Sequence, residues 1–131
     1  MDSSTIQLPG SEIERISLQQ GCLRVSFSRA YIVKTMTGSN EKTLWWQAGD
    51  LVLEGAEAEQ RIPSGPAVCD GGDIDENIYT YRDMIPVPLD SRGRTRCELK
   101  LRDSDEKVVV RGETVRLELS GTPKYIRHIR D

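Results

Sequence analysis

The sequence is short of the residues from which metal and redox sites are built. It contains one histidine, His128, and three cysteines, Cys22, Cys69 and Cys97. A single histidine excludes metal sites that use several imidazoles. The cysteines are odd in number and show no Cys-x-x-Cys spacing, so we expect neither a disulfide framework nor a zinc site. No cofactor is predicted.

Catalytic motifs are missing as well. The sequence has no Gly-x-Ser-x-Gly, Walker A, Gly-x-Gly-x-x-Gly or zinc-metalloprotease signature. His128 lies in a basic stretch close to the end of the printed sequence, which disfavours a hydrolase triad or a Cys–His pair. An enzyme would have to use carboxylates or a thiol of low pKa, and we expect a protein without enzymatic activity.

Long apolar runs are also absent. The mean hydropathy is −0.50, and hydrophobic residues make up 37% and charged residues 30% of the 131 residues. This composition is typical of a soluble, globular chain without a membrane span, and the length predicts a single domain over residues 1–131. The first residues lack the basic and apolar stretches of a secretory signal, and unpaired cysteines fit a reducing compartment. We therefore expect a cytoplasmic protein.

The charge is small in sum but uneven along the chain. The net charge of −3 divides into +1 over residues 1–46, −8 over residues 47–90 and +4 over residues 91–131. Two interpretations remain open. The acidic middle and the basic end pair across the structure, or the molecule presents one acidic and one basic face to a charged partner.

Alternation with a period of two is the main structural signal. Apolar and charged residues alternate in three segments, which are 23–28, 96–102 and 115–119. This pattern predicts strands with one face in a core and one in water. The predicted fold is all-β, with roughly eight to ten short antiparallel strands in a bulged barrel or a two-sheet sandwich and at most one helical turn.

Four segments refine this prediction. Residues 11–17 carry the apolar pair Ile13 and Ile16 at helical spacing and are the candidate helical turn. Breaks in the alternation predict β-bulges at Gly55 and near residues 28–30. Alternate prolines restrict residues 85–88 to an edge strand or an extended crossover, because proline cannot donate to a sheet.

The adjacent tryptophans must point to opposite faces of a strand. Trp46 is in phase with Leu44 and Ala48, which predicts that Trp46 belongs to the core. Trp45 is then expected on the face toward solvent or a partner.

The predicted partner-binding surface is built around Trp45. Thr43 and Gln47 share its phase, and Tyr79 and Tyr81 share a phase of their own that could extend an aromatic platform. An exposed tryptophan is a good anchor, because it offers a large apolar area with little rotamer entropy. The alternative is that Trp45 is covered by a loop or lies between two sheets.

A row of arginines is the candidate anion site. Arg92, Arg94 and Arg96 share one strand phase. The alternative is that they form the solvent face of a strand whose other face is apolar. The pI near 5.3 and the absence of interleaved aromatic residues disfavour nucleic acid as a partner.

The densest polar cluster contains Asp70, Asp73, Asp75 and Glu76 around two glycines. Several carboxylates on a flexible loop could hold a hard cation such as calcium, although the EF-hand order is missing. The favoured interpretation is an ordinary acidic hairpin or crossover loop, and an acidic docking surface is a further alternative.

These observations predict a non-enzymatic binding module that recognises a protein partner or associates with itself. The contact would use an open strand edge or the Trp45 face. A carrier with a small-molecule ligand in the mouth of a barrel is the first alternative, and an enzyme using carboxylates or a thiol is the second. No membrane partner is expected.

Overall fold

A computed structural model describes residues 3–36, 38 and 40–129. This part of the chain contains nine strands, paired throughout in antiparallel fashion, and no helix, which confirms the all-β prediction. The strands are β1 Ser3–Gln19, β2 Cys22–Thr35, β3 Lys42–Glu54, β4 Glu57–Ala58, β5 Ala67–Glu76, β6 Tyr79–Arg82, β7 Met84–Val87, β8 Asp90–Leu101 and β9 Lys107–Ile129. Among the described residues there is no helix of the length and apolarity needed to cross a membrane.

Six of the strands close into a ring. The pairing order is β6-β5-β8-β9-β3-β2-β1-β7, and β5 also pairs with β1 through residues 67–68 and 12–13. The ring therefore runs β1-β2-β3-β9-β8-β5, as in a small barrel or sandwich. The short β4 pairs with β9 outside this path, and β6 and β7 are the two ends of the order.

The core fills the ring, as the alternation predicts. Leu23, Val25 and Phe27 on β2 are 0–2% exposed, and Cys97 and Leu99 on β8 are 0% exposed. Because successive strand residues point to opposite faces, the charged residues between them lie outside.

Residues 11–17 form part of β1 rather than a helical turn. Ile13 pairs with Phe27 and Arg15 with Ser26, so Glu14 is an extra residue in β1. A bulge of this kind shifts the phase of a strand by one residue. The spacing of three between Ile13 and Ile16, both buried, thus comes from a bulge and not from a helix.

Of the two predicted bulges, one is present and the other is not. The bulge near residues 28–30 is present, since the β2–β3 register shifts between Phe27 and Ala30. The bulge predicted at Gly55 is absent. The phase changes there because β3 ends at Glu54 and the chain then pairs with β9 through β4. Residues 84–87 form the edge strand β7, in agreement with the constraint that the prolines impose.

Ion pairs connect the acidic middle of the chain to its basic end, as the first interpretation of the charge pattern expects. Four such pairs have N–O distances of 2.6 to 3.6 Å: Arg96–Glu59, Arg102–Asp70, Arg111–Glu59 and Arg116–Glu54. Much of the asymmetry in the sequence therefore cancels in space.

Several strands continue beyond the level at which the ring closes. Residues 3–7 of β1 pair with 31–35 of β2 and with β7, residues 30–35 of β2 pair with 42–47 of β3, and 42–46 of β3 pair with 124–129 of β9. We call residues 3–7, 30–35, 42–47 and 120–129, together with β7, the open sheet. Its two outer strands are β7 and the second half of β9.

Candidate functional site

The structure places the two tryptophans on opposite faces of the open sheet, but in the reverse of the predicted order. Trp45 is half-buried and packs against the core, and its Nε1 donates a hydrogen bond to Thr43 Oγ1 at 2.8 Å. Trp46 is also half-buried but lies on the outer face. The Arg29 guanidinium is 4.5 Å and the Lys124 ammonium 4.9 Å from its ring centroid. The prediction that Trp46 is a core residue is wrong.

The phase of β3 explains the reversal. Leu51 and Leu53 are fully buried, and the same phase continues without a shift through buried Gln47 to Trp45. Leu44 and Ala48, which suggested the opposite phase, are only half-buried. When the alternation of Leu51 and Leu53 is extended toward the start of β3, it predicts the correct face for each tryptophan.

An aromatic cluster continues the inner face of the open sheet beyond the core. The ring of Trp45 lies 5.3 Å from Tyr125 in an edge-to-face arrangement at 74°, and Tyr125 lies 6.1 Å from the imidazole of His128. The ammonium of Lys34 is 4.5 Å from the Trp45 centroid. Such pairs are a favourable geometry for aromatic rings and cations. Tyr125, His128 and Lys34 belong to other strands, so the alternation within β3 does not reveal that they join Trp45.

The side chain of Gln47 is buried in a contact within the protein and is not exposed to a partner. It is 8% exposed, and its Nε2 donates a hydrogen bond to the carbonyl oxygen of Gly121 at 2.9 Å. This bond spans the irregular part of β9 between Ser120 and Lys124, where the β3–β9 register shifts. Gln47 therefore positions β9 and is not itself a contact surface.

The free edge of the open sheet belongs to β9. Residues 107–116 of β9 pair with β8, whereas residues 118–129 have β3 as their one neighbouring strand among the described residues. Two large apolar side chains are exposed there, Tyr125 by 51% and Ile126 by 39%. An edge strand presents unpaired N–H and C=O groups, which are a template for a further strand.

The open sheet also differs from the rest of the molecule in charge. Its segments contain four cations, Lys34, Lys42, Lys124 and Arg127, and no aspartate or glutamate. In the described part of the chain, no carboxylate forms an ion pair with any of these four.

Tyr79 and Tyr81 lie elsewhere and do not extend the Trp45 surface. They stack on each other in the short β6, with ring centroids 6.5 Å apart, and β6 pairs with β5 and not with β3. The Tyr81 hydroxyl donates to Glu76 Oε2 at 2.9 Å, and this bond, with some burial, raises the pKa of Tyr81. Tyr79 is 59% exposed at the hairpin that joins β5 to β6.

The predicted arginine row is interrupted by a bulge. The β8–β9 register shifts between Arg92 and Thr95, so Arg94 lies in the bulge. Arg94 and Arg96 line a surface groove of about 370 Å³ together with Arg111 of β9, whereas Arg92 does not. Arg111 lies on a different strand from the predicted row, so alternation within the row gives no sign of it.

The charges in that groove are largely balanced. Arg96 pairs with Glu59 at 2.9 Å and with Glu98 at 3.1 Å, and Arg111 pairs with Glu59 at 3.4 Å. Hydrogen bonding to Arg96 lowers the pKa of Glu59, and the same bond raises the pKa of Arg96. Asp75 also lines the groove. Two of the three arginines are therefore neutralised by carboxylates, which weakens the case for an anion site.

The acidic cluster lies on a strand and not on a loop. Asp70, Asp73, Asp75 and Glu76 are all part of β5, whose register with β8 shifts at Asp70, between Cys69 and Gly71. Each carboxylate already has a contact: Arg102 for Asp70, Arg82 for Asp73, Thr80 for Asp75, and Tyr81 and Ser91 for Glu76. The described residues contain no group of three or more His, Cys, Asp or Glu side chains that could hold a metal ion.

The cysteines are free thiols, and two of them are buried. Burial raises the pKa of the Cys69 thiol to about 11 and shifts the pKa of the Cys97 thiol upward as well. A raised pKa lowers the thiolate fraction and therefore the reactivity of a cysteine. Neither Cys69 nor Cys97 is therefore a low-pKa thiol of the kind that an enzyme using a thiol would need.

The interior of the ring is packed with side chains. The fully buried residues include Leu8, Leu23, Ile74 and Leu99, which belong to four different strands and one continuous core. A groove of about 490 Å³ lies on the surface instead, between the 61–67 connection and residues 101–106. The carrier alternative therefore has no support from the packing of the described residues.

Comparison with known proteins gave no match to a family model, to a curated protein or to a solved structure. Within the part of the chain that the structure describes, the open sheet combines a free strand edge, exposed apolar side chains and cations without an ion pair, and it is the candidate functional site.

Proposed function

We propose that this protein is a non-enzymatic binding module that takes up an extended segment of a protein partner on its open sheet. The partner segment adds a strand to the free edge of β9. The observation that carries this proposal is that, among the described strands, residues 118–129 have a neighbour on one side only, while Tyr125 and Ile126 on the same segment are exposed.

Strand addition explains why these features occur together. Main-chain hydrogen bonds to the unpaired edge provide affinity, and pockets or platforms for alternate side chains provide specificity. Tyr125 is held by ring contacts on Trp45, so an exposed aromatic surface is available with little loss of side-chain freedom. Large, preorganised aromatic side chains are the usual anchors of protein interfaces.

The opposite edge is less suitable. In β7 the positions 86 and 88 flanking Val87 are prolines, and neither can donate a main-chain hydrogen bond. On β9 one proline, Pro123, lies in the free edge, and the six residues from Lys124 to Ile129 contain none. The two edges of the open sheet thus differ in their capacity to accept a strand.

A selection from random twelve-residue peptides displayed on phage tests the proposal. The wild-type protein is compared with Ile126→Pro and with the matched control Ile126→Ala. Ile126 has no partner in the β3 register, so proline there removes one main-chain N–H of the edge segment without removing a paired position of the β3–β9 ladder. Ile126→Ala shortens the side chain and keeps the N–H.

We expect peptides that are enriched on the wild type and on Ile126→Ala but not on Ile126→Pro. Amide chemical-shift changes on addition of these peptides should be concentrated in residues 124–129. Circular dichroism of the three proteins checks that each is folded. Enrichment of the same peptides on the proline variant, or no enrichment on the wild type, would contradict strand addition at this edge.

A further inference from the structure

We infer that the segment bound at the β9 edge belongs to another protein and is acidic, with carboxylates at positions i and i+2 around an apolar residue. This inference deepens the proposed function and depends on it. It rests on the positions of Lys124 and Arg127 at the β9 edge. It also rests on the charges that a second copy of this chain would place opposite them.

The bulge in β9 brings the two edge cations to the same face. Lys124 lies opposite Trp46, and Arg127 lies opposite Leu44. Trp46 and Leu44 are two residues apart and share the outer face of β3. Between these two pairs β9 advances by three residues and β3 by two, because Ile126 is an extra residue in β9. Lys124 and Arg127 therefore point the same way, although their spacing in the sequence suggests opposite faces.

This arrangement specifies the pattern of a partner strand. A regular strand next to the edge would place residues i and i+2 on the outer face, near Lys124 and Arg127. The residue between them would lie on the inner face, toward Tyr125 and His128. Carboxylates at the two outer positions meet cations, and an apolar residue at the inner position meets the aromatic cluster.

The cations are available for such a contact. Lys124 lies over the Trp46 ring, and Arg127 donates one N–H to the carbonyl oxygen of His128 at 3.3 Å. Neither has a carboxylate partner among the described side chains. By contrast, Arg24, Arg96 and Arg116 on the surface of the ring each contact two carboxylates.

A second copy of the chain is a poor occupant of the same edge. Antiparallel pairing of two β9 edges centred between Tyr125 and Ile126 would set Lys124 of one copy against Arg127 of the other. Like charges in directly opposed positions destabilise a strand pair.

The acidic stretch of this chain does not supply the complementary strand either. Residues 73–76 of β5 pair with β6 on one side and with β8 on the other. Their main-chain groups are already used within the sheet, so they are not free to pair with the β9 edge of another molecule. The acidic stretch of β5 in a second copy is therefore excluded as the occupant, which leaves a segment of a different protein as the proposed one.

The test starts from the peptides selected on the wild-type protein. We expect Asp or Glu at positions i and i+2 with an apolar residue between them. Affinity is then measured by fluorescence anisotropy for one such peptide and for its analogue with Asn or Gln in place of the acids. Two surface charge pairs predict a loss of about tenfold at low salt. The difference should shrink in 0.5 M salt, because screening weakens exposed charge pairs.

Matched variants identify the source of the charge effect. Lys124→Gln with Arg127→Gln should abolish the difference between the acidic peptide and its amide analogue. Arg92→Gln with Lys100→Gln changes the net charge equally on β8 and should leave the difference intact. Wild-type protein should sediment as a monomer in the absence of peptide.

Each other result overturns a defined part of the argument. Equal affinity for the acidic peptide and its analogue, with both lost in Ile126→Pro, would refute the acidic partner and leave strand addition standing. Self-association that Ile126→Pro abolishes would show that a second copy is the occupant. Failure to select any edge-dependent peptide would refute the proposed function itself.

Discussion

At the scale of single residues, adjacent side chains in this chain have very different surroundings. Trp45 packs against the core and hydrogen-bonds Thr43, whereas Trp46 lies on the outer face between the side chains of Arg29 and Lys124. Both are half-buried, so exposure alone does not distinguish them. The distinction lies in what each ring contacts.

We expect Trp45→Ala to destabilise the protein more than Trp46→Ala. Loss of a large aromatic side chain that packs on the core costs roughly 2–4 kcal/mol at a half-buried position. Loss of two partly exposed cation–π contacts costs about 1–2 kcal/mol. Urea unfolding followed by circular dichroism measures both free energies. An equal or larger loss for Trp46→Ala would mean that the ring contacts of Trp46 are worth more than those of Trp45.

The buried thiols make a second residue-scale prediction. Burial raises the pKa of Cys69 and Cys97, and both side chains are 0% exposed, whereas Cys22 is half-buried at the start of β2. In native protein at pH 8 we expect a disulfide reagent to modify Cys22 first, and Cys97 only after unfolding. Cys22→Ser should remove the early phase. Rapid modification of the Cys22→Ser protein would show that Cys69 or Cys97 is accessible.

At the scale of elements, a charged network holds three strands together on the outer face. Arg24 of β2 contacts Asp50 at 2.6 Å and Glu118 at 3.0 Å, while Arg116 of β9 contacts Glu118 at 2.7 Å. Both arginines lie opposite Val52 in the register of β3, and Val52 is 0% exposed. The aliphatic parts of the arginines therefore cover an apolar residue that does not belong to the main core.

The network gives stability a defined pH dependence. Hydrogen bonds from Arg116 and Arg24 lower the pKa of Glu118. A carboxylate whose pKa is lower in the folded protein stabilises it above the unfolded pKa of about 4.3, and the contribution disappears as the pH falls through the folded value. Because Glu118 is partly exposed, we expect Glu118→Gln to cost only about 0.5–1 kcal/mol at pH 7.

The measurement is the free energy of unfolding of wild type and Glu118→Gln between pH 7 and pH 3. The difference should be full at pH 7 and should vanish toward the acid end. Glu57→Gln is the control, since Glu57 is exposed and has no ion pair among the described residues. A difference that persists unchanged at pH 3 would show that Glu118 stabilises the fold through packing rather than charge.

At the scale of the whole molecule, the closed ring and the open sheet should differ in stability. Residues 108–115 of β9 belong to the closed ring, where they pair with β8, and Val108, Val110 and Val115 are 0% exposed. Residues 124–129 pair with β3 alone among the described strands. Backbone groups that are paired on one side and poorly covered open with lower free energy than those in a core.

Hydrogen exchange followed by NMR measures this difference. We expect amides of residues 108–115 to exchange slowest and those of 124–129 at least about a hundredfold faster, which corresponds to a local difference near 3 kcal/mol. A selected peptide bound to the edge should slow exchange in 124–129 and leave 108–115 unchanged. Uniform exchange along β9 would contradict the division into a ring and an open sheet.

The sequence by itself determined the class of fold, because strand side chains alternate regardless of which strand lies next to them. Leu23, Val25 and Phe27 and the pair Cys97 and Leu99 could be placed inside from this alternation alone. The prolines of β7 likewise restrict their own strand to an edge, since the missing N–H is a local property. Local chemistry is sufficient for predictions of this kind.

Tertiary structure decided the site. The bulge at Glu14 produces a helical spacing in a strand, and the bulge at Ile126 sets Lys124 and Arg127 on one face, yet neither is visible without the partner strand that defines the register. Trp45 and Tyr125 are 80 positions apart in the sequence and meet because β9 pairs with β3. Whether a strand has a free edge depends on which strands pair with it. That pairing is set by contacts between distant segments, which the periodicity within one segment does not encode.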